Sequence, residues 1–357
     1  MRRVLDMDKP RVTIKGRGAA GNPQGRFDRH TRSHERETEF PSRPQTIVTL
    51  QQARSIISRN DSPDLPFSQS INPYQGCEHG CIYCYARPSH AYLGLSPGLD
   101  FETRLFAKAN AAELLREELS GPGYRCELIS LGANTDPYQP IEREHRITRS
   151  ILEVLWEFRH PVGIVTKGSL VERDLDLLDP MAREGLAQVF ISIGTLDGEI
   201  ARTLEPRAAA PHRRVETVRR LSERGVPCGV LVAPTIPFLN DKDLEAVLEA
   251  VSEAGATMAG YTLLRLPWEV KDLFKDWLER NFPLKAAHIM ARIRDMRGGR
   301  DNDPEFGSRM RGEGQFADLI RKRFDVACRR LGLNSGKRSQ LDTKKFRRPG
   351  PAQIPLL

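Results

Sequence analysis

No apolar run in this 357-residue chain is long enough to span a bilayer, and the opening Met1-Arg2-Arg3-Val4-Leu5-Asp6 turns polar at once. Neither a membrane span nor a signal peptide is expected, and the expected location is the cytoplasm. Aromatic residues make up only 7% of the chain, which argues against the aromatic-rich patches of base-stacking surfaces. Cysteine is scarce too, at six residues. Cys126, Cys228 and Cys328 are scattered and read as ordinary small buried side chains. The others are clustered, and clustered thiols in a reducing compartment read as metal ligands, not disulfides. Acidic residues number 47 against 55 basic ones, a net charge of +8 that permits contact with nucleic acid without establishing it.

What is present is concentrated in Asn72-Pro73-Tyr74-Gln75-Gly76-Cys77-Glu78-His79-Gly80-Cys81-Ile82-Tyr83-Cys84-Tyr85. Cys77, Cys81 and Cys84 follow a C-x3-C-x2-C spacing that brings three thiolates to one centre, and Gly76 and Gly80 let the backbone turn tightly around it. A structural zinc site closes its shell with four ligands, whereas a four-iron cluster held by three thiolates leaves one iron open. A zinc site completed by His79 or His90, or three thiols without a metal, is the competing reading of the residues alone.

With Tyr83 just before its last cysteine, this stretch resembles the signature of the radical S-adenosylmethionine (SAM) superfamily. The resemblance implies a [4Fe–4S] cluster on Cys77, Cys81 and Cys84, with SAM chelated at the open iron. It implies reductive cleavage of SAM to a 5′-deoxyadenosyl radical that abstracts hydrogen from a substrate. It also implies an electron donor such as a flavodoxin or ferredoxin. Within the superfamily, roughly Phe67 to Arg265 is similar to the spore photoproduct lyase branch. Ile164-Val165-Thr166-Lys167 resembles its strand ending in Thr-Lys, Phe190-Ile191-Ser192-Ile193 its next strand, and Val230-Leu231-Val232-Ala233-Pro234 its fifth. By that resemblance Tyr83, Lys167, Ser192 and Ala233 bind SAM. Glu205 and Arg214 also recur there, and are read as a structural ion pair. The branch carries a hydrogen-donating cysteine where this chain has Ala133, so the resemblance implies the reaction type and not the substrate. Asn134, Asp136 and Tyr138 are the candidate catalytic residues, with a plain turn as the other reading.

Short runs rich in Val, Ile and Leu at Glu127–Leu131, Val162–Thr166, Val189–Ile193, Pro227–Ala233 and Tyr261–Leu264 read as buried parallel strands. Helical patterns lie between them. An open sheet or a barrel fits this alternation; the resemblance implies a partial (β/α)6 TIM-type barrel. The expected organisation is a largely extended basic segment over 1–66, the barrel over 67–266, a helical extension over 267–335 and a disordered basic tail over 336–357. If the substrate is a nucleic acid, Arg297, Arg300, Arg309, Arg311 and the tail cations Lys337, Arg338, Lys344, Lys345, Arg347 and Arg348 are expected at its phosphates. A non-enzymatic nucleic-acid-binding protein with a structural zinc or iron–sulfur module is the alternative to a radical SAM enzyme.

Overall fold

A computed structural model describes residues 13–27, 44–336 and 341–349. Its ten strands are β1 Ile47–Gln51, β2 Ile57–Arg59, β3 Gln69–Ile71, β4 Tyr74–Gln75, β5 Arg104–Lys108, β6 Ile129–Leu131, β7 Val162–Thr166, β8 Ala187–Ser192, β9 Cys228–Thr235 and β10 Met258–Leu263. Six of them, in the order β10-β9-β8-β7-β6-β3, run parallel, and β2 closes the β3 edge antiparallel. This is a partial TIM-type barrel. Because parallel neighbours need crossovers, helices alternate with the strands and cover the sheet. Ile147–Glu157 is one such helix; its Ile147, Ile151, Leu152, Val154 and Leu155 are buried. Each such side chain contributes roughly 1.5–3 kcal/mol when removed from water. The sequence reading does not identify the helix Leu175–Arg183, whose apolar stripe is interrupted by Pro180.

Two boundaries differ from expectation. β2 already belongs to the barrel sheet, ahead of the expected start at Phe67, and β1 pairs in parallel with β5 in a second, three-stranded sheet. Residues 13–27 are packed rather than extended. Leu99 N donates to Gly21 O at 3.0 Å, and Asp100 N to Asn22 Oδ1 at 2.8 Å. This segment has few apolar side chains; polar contacts fix it, and composition does not reveal those.

The C-terminal expectation is corrected for residues 341–349. Arg347 N donates to Phe158 O at 3.0 Å and Asp342 N to Gly185 O at 2.9 Å, while Arg348 Nη2 reaches Gly121 O at 2.7 Å. All of these partners precede barrel strands, so this stretch covers the end of the barrel opposite to the one where strands finish. Lys337 and Arg338 lie outside the described residues.

Phe346 seals that end by packing on Tyr124, Phe158 and His160, at ring separations of 5.6, 6.3 and 5.5 Å. Burial pushes the His160 imidazole down to about 4. Between that value and the ordinary one near 6.5, the unfolded chain takes up a proton that the folded chain refuses. Stability should therefore fall as pH drops from about 6.5 to 4, by up to roughly 3 kcal/mol. Phe346→Ala should cost about 1–2 kcal/mol and let water reach the ring. The His160 pKa, followed by proton NMR, should then rise toward its ordinary value. An unchanged pKa would show that Phe346 does not shield it.

Candidate functional site at the barrel mouth

The cysteine loop follows β4, beside the end of β3, and its backbone is tied on every side. Cys77 N donates to Phe101 O at 2.9 Å, Ile82 N to Leu204 O at 3.1 Å, and Glu78 N to Gln139 Oε1 at 2.8 Å. Gly76 and Gly80 have φ of 78° and 67°, in the left-handed region. A Cβ on Gly76 would stand 2.5 Å from Leu105 Cδ2, and one on Gly80 2.8 Å from Glu102 Oε2. Only glycine fits either turn.

Beneath the loop lies a buried guanidinium. Arg87 Nε donates to Cys81 O at 2.9 Å, its Nη2 to Gly80 O at 3.1 Å, and its Nη1 to Gly98 O at 2.9 Å. Its charge is met by Glu102 at 2.5 Å, and both side chains are fully buried. Glu102 also accepts from Gly18 N and Ala19 N at 3.0 and 2.9 Å. One carboxylate thus joins the N-terminal segment to the cysteine loop. Sequence reasoning passes over both residues because nothing in their spacing marks a pair.

Cys77 and Cys81 are buried, Cys84 is half-buried, and all three are free thiols. Burial raises all three pKa values, that of Cys81 to about 12; for Cys77, Asp136 and the other two thiols add to the effect. Three thiolates in one dry site call for a cationic centre, as the donor set of an iron–sulfur cluster does. Among the described residues, no three His, Cys, Asp or Glu side chains converge closely enough for a single metal ion. The donor set and the glycine-shaped loop fit a cluster.

The expected cofactor residues gather around these thiols. Lys167, just past β7, holds its ammonium 5.9 Å from the centre of the Tyr83 ring. Burial opposes that charge, but Cys81 and Glu205 outweigh it and the Lys167 pKa rises. Ser192 ends β8 and is 3% exposed. Ala233 lies near the end of β9, where Asn240 Nδ2 bridges Gly194 O and Pro234 O at 2.7 and 2.9 Å. Asn240 thereby stitches two strand ends. The Tyr83 hydroxyl donates to Glu205, and Arg214 binds both Glu205 and, at 2.8 Å, Ser192 O. Glu205 and Arg214 are an ion pair as expected, but one that supports Tyr83 and Ser192 directly.

The three candidate catalytic residues separate. Asn134 is exposed at the mouth, its N–H bound to Asn72 Oδ1 at 2.8 Å. Asp136 accepts from Thr166 Oγ1 at 2.6 Å and Lys167 N at 2.7 Å, and its Oδ2 stands 3.2 Å from His79 Nδ1. Burial would raise its pKa, yet His79, Thr166 and the Lys167 amide hold it well below the usual carboxylate range. Asp136 therefore positions the β7 end against the cysteine loop. Tyr138 leaves the set: it is 2% exposed and its hydroxyl donates at 3.0 Å to the buried Asp174. Ala133 offers its carbonyl to the Tyr85 hydroxyl.

The helices Val270–Asn281 and Pro283–Asp295 follow the barrel, and their buried Phe274, Trp277, Leu278, Ile289 and Ile293 form one cluster with Cys81, Ile82 and Tyr83. This extension walls the cysteine loop. The loop 297–314 is equally structural. Arg297 is buried on Leu264 O at 2.8 Å, and Arg309 is held by Asp64 at 2.5 Å and Ser62 at 2.6 Å. These two arginines are committed within the protein, which corrects their expected role as free phosphate contacts. Composition also misled about aromatics. Phe27, Tyr92 and Trp268, far apart in sequence and all exposed, surround Arg26, whose guanidinium lies 4.9, 5.2 and 4.7 Å from their ring centres.

A parallel half-barrel with three clustered thiols, a lysine and a serine at its mouth defines a class: barrel enzymes built around a cluster and a small organic cofactor. The chain belongs to the radical SAM superfamily, whose profile matches residues 71–251. It is an enzyme of that type, and the family's cofactors are a [4Fe–4S] cluster and SAM. An uncharacterised protein of Mycobacterium tuberculosis is 37% identical over 65% of this chain and 68% of its own length. Another, of Methanocaldococcus jannaschii, is 28% identical over 60% and 76%. Among solved structures, a variant of spore photoproduct lyase superposes with a TM-score of 0.57 at 15% identity, over 85% of this chain and 86% of that one. At that identity the likeness concerns the fold alone. Among the described residues no helix is long and apolar enough to cross a membrane.

Proposed function

We propose that Cys77, Cys81 and Cys84 hold the cluster and that Lys167, Ser192, Tyr83 and the Ala233 strand edge hold SAM. The observation that carries this reading is the gathering of three free thiols, an ammonium and a buried strand-end serine at one barrel mouth. A cluster held by Cys77, Cys81 and Cys84 would supply the electron for reductive cleavage of SAM held by Lys167, Ser192, Tyr83 and the Ala233 strand edge, and so the means of hydrogen abstraction from a substrate. The Lys167 ammonium would suit a carboxylate of SAM, and a small hydroxyl at Ser192 a polar group of the same ligand. Glu205 and Arg214 keep Tyr83 and Ser192 in place. Asp136 fixes Lys167 through its backbone and leaves the ammonium free.

The electron donor in this proposal is a flavodoxin or ferredoxin, and the compartment the cytoplasm. The substrate is a polar molecule, with nucleic acid the leading candidate. The exposed aromatics around Arg26 support a substrate that extends beyond the mouth.

Anaerobic reconstitution followed by dithionite and SAM tests the proposal: 5′-deoxyadenosine should form. Lys167→Ala should weaken SAM binding about tenfold or more, through loss of a charge-assisted contact, and leave iron content unchanged. Iron lost together with SAM binding would reassign Lys167 to the folding of the loop.

A further inference from the structure

Arg265 has no role in the site as described so far, and its surroundings are built with care. It follows the last barrel strand, and the backbone is fixed on both sides of it. Leu263 N donates to Met310 O at 3.0 Å, Leu264 O accepts from Arg297 Nη2 at 2.8 Å, and Leu266 N donates to Asn302 Oδ1 at 3.0 Å. The guanidinium lies 5.7 Å from the Tyr85 ring, and Tyr85 directly follows Cys84. Arg265 therefore faces the cysteine loop across the mouth.

Its polar atoms are poorly matched. Nε is buried with no hydrogen-bond partner, and Nη1 meets only the Met310 sulfur at 3.8 Å. No carboxylate among the described residues forms an ion pair with it. The two nearby acids are taken: Asp64 accepts from Arg309 Nε at 2.5 Å and Gly307 N at 2.7 Å, and Asp303 from Ser308 Oγ at 2.5 Å and Glu305 N at 3.0 Å. A buried donor left unmatched is costly. A guanidinium presents a planar fork that suits two oxygens of one anion. Arg309, already neutralised by Asp64, adds no competing demand on that anion.

We propose that Arg265 is the docking point for an oxoanion of the substrate, a phosphate or carboxylate, held beside the Tyr85 ring above the cysteine loop. The proposal rests on the reading of the mouth as a SAM-dependent site and adds to it the chemical class of the substrate. A neutral substrate leaves the guanidinium without a counter-charge; an anionic one supplies it through the outer N–H groups, beside the Tyr85 ring.

Three probes of one shape test this: phenyl phosphate, benzoate and neutral phenol, titrated calorimetrically into the reconstituted protein with SAM present. One or both anions should bind, and Arg265→Met should weaken them tenfold or more while phenol stays unchanged. The tighter anion identifies the oxoanion. Arg265→Lys keeps charge and stem but loses the fork, and should weaken binding at least threefold; it carries the test if the methionine variant does not fold. Equal anion affinity in wild type and variant, or phenol binding as well as both anions, overturns the proposal. Loss of SAM affinity in Arg265→Met with anion binding intact would overturn it too, by assigning the guanidinium to SAM. Failure of the cluster reading is distinguishable: a chain that takes up no iron yet binds phenyl phosphate through Arg265 refutes the cofactor assignment and keeps the docking point.

Discussion

Reconstituted anaerobically with iron and sulfide, the wild-type chain should hold roughly four irons and the Cys81→Ala chain close to none. The substitution removes one of only three thiols, and no other cysteine is in the loop to replace it. The fold should survive, because the loop is held through its backbone: Arg87 binds the carbonyls of Gly80 and Cys81, and Ile82 N binds Leu204 O. Circular dichroism should therefore match wild type while visible absorbance and 5′-deoxyadenosine formation fall to background. Cys228→Ala is the control. Cys228 starts β9, 1% exposed in the apolar core, and its loss should cost stability without touching iron. Stoichiometric zinc and no iron in the wild-type protein would sink the assignment.

The barrel was legible in the sequence because its strands are buried on both faces and read as apolar runs. Val162–Thr166 coincides with β7 to the residue, and Pro227–Ala233 overlaps β9. The chemistry was legible where a short spacing encodes it, as in the cysteine loop, or where a strand ends in a polar residue, as at Lys167 and Ser192. What pattern could not show is long-range pairing. Glu102 meets Gly18 and Arg87, Asp64 meets Arg309, and Phe27 meets Tyr92, each across a gap that no periodicity spans. Tyr138 is the instructive failure. It sits two residues after Asp136 in a polar turn, yet its ring enters the core and its hydroxyl finds Asp174. A phenol in a strand-end turn is a catalytic candidate only when the chain's direction leaves it facing the mouth, and sequence does not give that direction.

Glu102→Ala should be the most destabilising single change outside the hydrophobic core. Its carboxylate is fully buried, faces the equally buried Arg87 at 2.5 Å, and takes the amides of Gly18 and Ala19. Removing it leaves a guanidinium charge without a counter-ion and two N–H groups without an acceptor. Breaking one side of such a pair costs about 3–5 kcal/mol, whereas the pair itself contributes little over apolar replacements. In a chain of this size that corresponds to a fall in Tm of roughly 4–7 °C. Arg87→Met combined with Glu102→Ala should cost less than the sum of the single changes, because neither charge is then stranded. Two further readouts separate a local joint from general weakening. Limited proteolysis should cut Glu102→Ala within residues 13–27 before the barrel, since that segment loses two of its anchors. Iron should also leave the reconstituted variant faster than wild type, because Arg87 no longer has a partner to hold it against the carbonyls of Gly80 and Cys81. A variant that melts with wild type, or melts early while keeping the N-terminal segment protected and the iron in place, would show that Glu102 does not join the two.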